Sequence, residues 1–276
     1  MRTTLQFASL AVVATLATAC ERPTAPIDSP SLSAGRAPNA SISDAAHSGR
    51  LGFYFLPSLV SDPGPFTGTF DAELQPRVTI CPVAACDFAA IAAFLFGGSG
   101  PTAITVDPIT ESYGANWNKP TLDVGKYRLQ VRLTVPLLGA GTEKSLGFAD
   151  LQVVSNKKDP VDAGFVKVVK GSPIPFKFRI ETGIVAGMVI QLPHLRNLHV
   201  GDAPRDIFAR PYDLHGELVD SSCLTWTSSN PSAVSVTPFG LFGGRVTALA
   251  IGSATITVSC RDFSTSFPAE VVPPEE

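Results

Sequence analysis

The 276-residue sequence is poor in charged side chains, because Asp, Glu, Lys and Arg make up only 16% of it, against about 25% in an average soluble domain. Surface helices and coiled coils need such side chains on their wet faces, so the shortage argues against both. The formal net charge is −3 and the pI is near 5.8. Without a basic field, we expect no nucleic-acid partner.

Sequence motifs of catalysis and metal binding are missing as well. The four histidines form no His-x-x-x-His or His-Glu-x-x-His spacing, so a zinc site has no support. No Gly-x-Ser-x-Gly elbow and no EF-hand spacing occurs. The carboxylates Asp150 and Asp162 have no catalytic motif around them. We therefore expect a protein that is not an enzyme and holds no cofactor, with calcium binding by an Asp-lined loop left open.

The N-terminus explains why the number of cysteines, five, is odd. The apolar run Leu5–Ala19 has the length of a signal-peptide core and is short for a membrane span. It ends Leu16-Ala17-Thr18-Ala19-Cys20, which resembles a bacterial lipobox. The resemblance implies a signal peptide over 1–19 and lipidation of Cys20. Ordinary secretory cleavage after Ala19 and an uncleaved anchor are the alternatives, and all three export the chain.

Residues 20–50 have the composition of a tether between this cysteine and the folded part. Prolines at 23, 26, 30 and 38 alternate with serine and alanine, and no apolar periodicity is present. Such a segment buries too little apolar surface to offset the entropy of ordering. We expect it to be disordered, with the protein anchored to a membrane in the periplasm or at the outer-membrane surface.

The C-terminal third consists of short runs that alternate apolar and polar residues between turns, which is typical of an all-β sandwich. The runs Leu224-Thr225-Trp226-Thr227-Ser228-Ser229-Asn230-Pro231 and Gly252-Ser253-Ala254-Thr255-Ile256-Thr257 resemble the bacterial immunoglobulin-like domain, group 2. The resemblance covers 188–272 and implies a module of surface and adhesion proteins without catalytic residues. It makes Trp226 a core residue.

Two further expectations depend on this resemblance. The strands that carry Cys223 and Cys260 are antiparallel neighbours in such a sandwich, which implies a disulfide between them, with a bulge next to Cys223 to correct its parity. Phe239, Leu241 and Phe242 lie in a segment that is longer and more apolar than the usual turn. They form either an exposed contact surface or a packing surface against the preceding domain.

The middle segment, 51–182, is predicted to be a second β-sandwich-like domain. Tyr127, Leu129, Val131 and Leu133 share one face of a strand. The Asp-x-Gly-x-Tyr sequence that begins this strand resembles the tyrosine corner of immunoglobulin-like sandwiches. The segments 165–169 and 174–180 are predicted to form a closing hairpin. The apolar stretch 84–96 fits a short buried helix or a core strand.

Two pairs of residues in this middle segment are candidates for specific roles. Cys81 and Cys86 are predicted to form a local disulfide, because the chain is exported and cysteines there pair. Tyr113 and Trp117 form a possible sugar platform, and core packing is the alternative.

The expected fold is therefore all-β, with two immunoglobulin-like sandwiches in tandem after a disordered tether. The expected function is that of a non-catalytic envelope or surface lipoprotein whose modules act as spacer, adhesion or protein-interaction units. Its partner would be an envelope protein or a polysaccharide, and a carbohydrate-binding module is the alternative function.

Overall fold

The computed structural model describes residues 42–86, 90–118, 120–136 and 143–273. These residues belong to one compact unit. They form β-strands and a few 3₁₀ turns, and no α-helix occurs among them. Within the same residues, no helix has the length and hydropathy needed to cross a membrane. The predicted signal peptide, Cys20 and most of the predicted tether lie outside the described residues.

Ten strands form the first half of the fold, which we call the N-terminal module. They are hydrogen-bonded in the order β1-β8-β7-β3-β4-β5-β6-β10-β2, with β9 paired to β8. The link between β4 and β5 is a short parallel pairing. The strands are β1 Ile42–Ser43, β2 Phe53–Leu56, β3 Arg77–Pro82, β4 Ala92–Phe96, β5 Ala103–Asp107, β6 Ser112–Trp117, β7 Gly125–Thr134, β8 Glu143–Val154, β9 Val166–Val169 and β10 Ile174–Ile180.

Alternating apolar side chains give this module its core. In β7 the residues at every second position from Tyr127 to Leu133 are buried, as the sequence pattern predicts. Side chains from both ends of the strand order meet in one cluster, so the sheet folds over itself as a sandwich. The hydroxyl of Tyr127 donates to the carbonyl of Asp123 at 3.0 Å, which is the geometry of a tyrosine corner.

Residues 42–50 belong to this module and not to the tether. Ile42 and Ser43 pair with β8, and the following Asp44 is fully buried. One carboxylate oxygen of Asp44 accepts from the backbone N–H of Phe55 at 2.9 Å. A buried carboxylate needs such a donor. The bond also joins the start of the module to β2. The tether prediction is therefore wrong for this stretch, whose apolar content is too low to signal a strand.

The structure contradicts the predicted hairpin and decides between the helix and the strand proposed for 84–96. Strands β9 and β10 do not form a hairpin: β9 runs parallel to β8, whereas β10 lies between β6 and β2. Within 84–96, the structure has the strand β4, preceded by a 3₁₀ turn at Val83–Ala85. Periodicity identifies strands but not their partners, so it does not predict which strands pair.

Seven strands form the second half, which we call the C-terminal module. One sheet has the order β11-β12-β15-β14 and the other β13-β16-β17, and their inner faces share one core that contains Trp226. With the N-terminal module, this confirms an all-β fold of two sandwiches in tandem. The strands are β11 Val185–Gln191, β12 Arg205–Asp213, β13 Leu224–Ser228, β14 Val234–Phe239, β15 Gly243–Ala248, β16 Gly252–Cys260 and β17 Phe263–Val271.

Only four residues, 181–184, separate the strands of the two modules. Val185 already begins β11, the first strand of the C-terminal module. Gly183 has a φ of +73°, in the left-handed region that glycine adopts without strain. The chain therefore passes from one module to the other in a short, sharply turned connection.

Candidate functional site

Tyr113 cannot serve as a sugar platform, because its ring is fully buried. The ring stacks on Phe178 with 5.7 Å between centroids. Its hydroxyl donates to the carbonyl of Asp71 at 2.8 Å and accepts from the N–H of Leu74 at 3.1 Å. The platform prediction is wrong for Tyr113, and the alternative of core packing holds. Alternation along β6 places Tyr113 on its inner face.

Trp117 is half-buried at the end of β6. Its ring meets the edge of Phe94 at 5.8 Å and packs against the core of the N-terminal module. The carboxylate of Glu111, which lies near both aromatic residues in sequence, binds the buried guanidinium of Arg179. The structure thus does not bring two aromatic faces and a free carboxylate together at this surface.

Burial of Tyr113 predicts a loss of stability at alkaline pH. Removal from water, together with the nearby Asp71 carboxylate, raises the pKa of Tyr113. In the unfolded chain this phenol ionises near pH ~10, while the folded protein keeps it protonated. The free energy of unfolding should therefore be unaffected by this group below pH ~10 and should fall as the pH rises above it. Urea titrations at several alkaline pH values measure this slope.

The matched variants for this test are Tyr113→Phe and Tyr212→Phe. Tyr113→Phe should cost about 1–3 kcal/mol near neutral pH, because it leaves buried backbone groups without their partner. It should also make the alkaline slope shallower. Tyr212, which is half-buried in the C-terminal module, is the control. An equal alkaline slope in wild type and Tyr113→Phe would contradict the prediction.

The apolar segment of the C-terminal module is a tight turn of three residues between β14 and β15. Phe239 pairs with Gly243 across the strands, so the segment is not longer than a usual turn. Leu241 at its tip is 77% exposed, and Phe239 is 36% exposed with the guanidinium of Arg245 over its ring at 3.7 Å. Phe242 is half-buried, and its carbonyl accepts from the N–H of Ala209. The apolar tip therefore faces solvent.

A first set of contacts joins the two modules through the loop after β12. His215 Nε2 lies 2.7 Å from Asp71 Oδ2, and the Asp71 side chain is only 5% exposed. The neighbouring Leu214 is buried and packs into the core of the N-terminal module. The loop from the C-terminal module therefore contributes both a polar and an apolar contact.

A second set of contacts comes from the turn between β16 and β17, in the other sheet of the C-terminal module. The guanidinium of Arg261 donates to the carbonyl of Gly183. Asp262 lies 3.9 Å from Arg50, measured between Oδ2 and Nε. Burial lowers the pKa of Arg50, and the charge of Asp262 opposes that shift. Each of the two sheets of the C-terminal module thus contributes one set of contacts with the N-terminal module. We call these two sets together the junction; its residues are Arg50, Asp71, Gly183, Leu214, His215, Arg261 and Asp262.

Both predicted cysteine pairs are disulfides in the structure. Cys81 belongs to β3 and Cys86 directly follows the Val83–Ala85 turn. Cys223 precedes β13, and Leu224 rather than Cys223 pairs with Cys260. A 3₁₀ turn at Ser221–Cys223 brings the sulfur into position, so the expected bulge is not needed.

Asp150 and Asp162, the carboxylates considered for catalysis, each form an ion pair with a basic side chain of β7. Arg128 binds Asp150 with two bonds, at 2.8 Å and 3.0 Å, and Lys126 Nζ lies 2.5 Å from Asp162. Among the described residues, no group of three or more His, Cys, Asp or Glu side chains is arranged to hold a metal ion.

An open groove of about 490 Å³ lies on the β16-β17 sheet and includes Arg196, Ser229 and Glu270.

Sequence reasoning did not find the junction residues. Asp71 and His215 are separated by 144 positions, and neither lies in a recognisable motif. Arg50 lies in the segment predicted to be a tether. The one available signal was the short, glycine-containing connection at 183, which leaves the modules too close to avoid contact.

Comparison with known proteins agrees with the C-terminal architecture. The chain has no match among curated proteins. It resembles a solved structure described as "Crystal structure of the S-layer protein SbsC domains 4 and 5", at 14% identity and a TM-score of 0.29, over 68% of this chain and 87% of that one. At this TM-score the likeness carries no argument. The family model of the bacterial Ig-like domain (group 2) matches residues 219–269, so the C-terminal module contains a bacterial Ig-like domain of group 2.

Proposed function

We propose that this protein is a non-catalytic lipoprotein of the bacterial envelope, anchored through Cys20, in which two β-modules act together as a stiff spacer that presents a contact surface. The group-2 Ig-like match at 219–269 supports a role as a surface or structural module. The lipobox-like sequence before Cys20 supports the anchor.

The observation that carries the proposal is the junction. Tandem modules joined by a flexible linker move independently, whereas here the linker is four residues long and both sheets of the C-terminal module contact the N-terminal module. A stiff pair holds its far end at a fixed distance from the anchor, which is what a spacer requires.

The apolar turn at Phe239–Phe242 is the surface that we assign to binding a partner protein. Leu241 exposes a large apolar side chain at the tip, and exposed apolar residues that cluster are typical of interaction sites. A polysaccharide partner is less favoured, since Tyr113 does not reach the surface.

Fractionation of producing cells tests the anchor. Wild-type protein should be recovered with membranes, and its intact mass should include the acyl groups on Cys20. The variant Cys20→Ser should lose both properties while the disulfides and the fold stay intact. A mature wild-type chain that begins at Cys20 without acylation would refute the anchor.

Labelling of intact cells distinguishes the surface from the periplasm. All lysines lie between Lys119 and Lys177, so a membrane-impermeant amine reagent reports on the N-terminal module. Labelling without cell lysis supports surface exposure, whereas labelling only after the outer membrane is permeabilised indicates the periplasm.

A further inference from the structure

We propose that the disulfide Cys223–Cys260 is a lock on the junction, so that its reduction loosens the two modules relative to each other while both remain folded. This inference rests on the proposed spacer function, in which the modules act as one stiff unit. It assigns to one covalent bond the control of that stiffness.

The turn between β16 and β17 consists of two residues. Arg261 and Asp262 lie between Cys260, the last residue of β16, and Phe263, the first of β17. Arg261 holds a φ of +56°, a conformation that is uncommon for residues other than glycine. The same two residues make the polar contacts of this turn with Gly183 and Arg50. Any shift of Cys260 therefore moves both contacts.

The disulfide adds a covalent restraint to Cys260, which also pairs with Leu224 and Phe263 in the sheet. Cys223 ends a 3₁₀ turn whose N-cap, Asp220, accepts from the N–H of Ser222 at 2.6 Å. The bond to Cys223 thus ties the end of β16 to this capped turn. Hydrogen bonds to β13 and β17 also hold β16, so the module keeps other restraints when the bond is broken.

The buried side of the disulfide faces the connection between the modules. Cys260 is fully buried and forms a small apolar cluster with Val185 and Val219. Val185 is the first residue of β11, directly after the four-residue linker. Loosening at Cys260 is therefore transmitted to the linker by direct packing as well as through the turn.

The junction also contains a buried polar group that water would reach if the modules separated. The Nη1 atom of Arg50 is buried and has no hydrogen-bond partner among the residues that the structure describes. A buried, unpaired polar group costs free energy that hydration would recover. On the other side of the junction, the contacts of His215 with Asp71 and of Leu214 with the N-terminal core do not involve the disulfide. We therefore expect the modules to separate where Arg50 and Gly183 meet the β16–β17 turn, and to stay in contact where His215 meets Asp71.

Reduction requires an external dithiol. One thiolate of the dithiol attacks the sulfur of Cys223, which is half-buried where Cys260 is fully buried. The bond between Cys223 and Cys260 breaks, and Cys260 leaves as a thiolate and takes up a proton. The second thiolate of the dithiol then displaces Cys223, which is also protonated. The dithiol ends as a disulfide, and the protein has gained two electrons and two protons.

The test compares two disulfide variants of the full chain with Cys20→Ser as a common soluble background. Cys223→Ala/Cys260→Ala removes the lock, and Cys81→Ala/Cys86→Ala removes the other disulfide as the matched control. Hydrogen exchange of backbone amides at 180–186 and at 49–52 reports on the junction. The emission of Trp226 and Trp117 reports on the folding of each module. Small-angle scattering reports on the stiffness of the pair.

We expect exchange at the junction to rise about tenfold or more in the first variant, with a broader scattering profile and unchanged emission from both tryptophans. The control should leave the junction as in wild type. Unchanged junction exchange without Cys223 and Cys260 would overturn the lock, and so would unfolding of the C-terminal module, since the bond would then serve folding alone. A wild-type protein that is already flexible would instead refute the stiff spacer.

Discussion

Replacing Arg179 by alanine should lower the free energy of unfolding of the N-terminal module by about 3–5 kcal/mol. The Arg179 side chain is 3% exposed, and it binds the carboxylate of Glu111 and the carbonyl of Gly68, the latter at 2.9 Å. It lies 3.5 Å from the buried Glu181 and over the ring of Phe66. Alanine would leave Glu181 as a buried carboxylate without its cation, and the segment around 66–70 would lose one of its attachments, the bond from Arg179 to Gly68.

Urea unfolding followed through Trp117 fluorescence measures the loss. Lys126→Ala is the matched control, because it removes a cation from the half-exposed ion pair with Asp162 and should cost about 1 kcal/mol or less. Arg179→Lys should fall between the two, since an ammonium keeps the charge but cannot reach both acceptors. If Arg179→Ala costs no more than Lys126→Ala, the buried cluster does not stabilise the module.

Replacing Trp226 by alanine should destabilise the C-terminal module by about 3–5 kcal/mol. The side chain is only 8% exposed and belongs to the core between the two sheets. The backbone of β15 lies directly against the ring, because a Cβ added at Gly244 would lie 2.6 Å from Trp226 Cδ2. Loss of the indole would therefore leave a cavity that the rigid strands cannot close.

Thermal unfolding followed by far-ultraviolet circular dichroism measures this effect. The variant keeps Trp117, so its fluorescence shows in the same sample whether the N-terminal module unfolds later than the C-terminal module. Trp226→Phe is the control and should lose less stability, because it keeps most of the apolar volume. A Trp226→Ala protein as stable as Trp226→Phe would show that the core does not depend on ring size.

The sequence predicts the parts of this fold that depend on local patterns. The alternation from Tyr127 to Leu133 places the same residues inward in β7, and the Asp-x-Gly-x-Tyr sequence forms the expected hydrogen bond. The position of Trp226 in the core follows from the group-2 resemblance and is confirmed. Each of these features is defined by a few residues that are close together in the chain, so its signal is readable without knowing the partner strands.

The same patterns are insufficient wherever the partner of a segment decides its role. Ile42 and Ser43 form a strand because β8 offers them an edge, although their composition indicates a tether. β9 and β10 follow one another in sequence yet pair with different strands. An aromatic residue such as Tyr113 reads equally well as a surface platform or a core ring until its inner neighbours are known.

By itself, the sequence determined that the protein is all-β and which four cysteines form two disulfides; the lipobox-like sequence before Cys20 stays a prediction. These conclusions depend on composition, alternation and short spacings, which are properties of neighbouring residues. Only the tertiary structure decided that Tyr113 is buried, that the Leu241 tip is exposed, and that Arg50, Asp71, His215 and Asp262 form a junction. The pairs Asp71–His215 and Arg50–Asp262 of the junction each join residues more than 100 positions apart. Their geometry is set by how the two sandwiches pack and not by any local pattern.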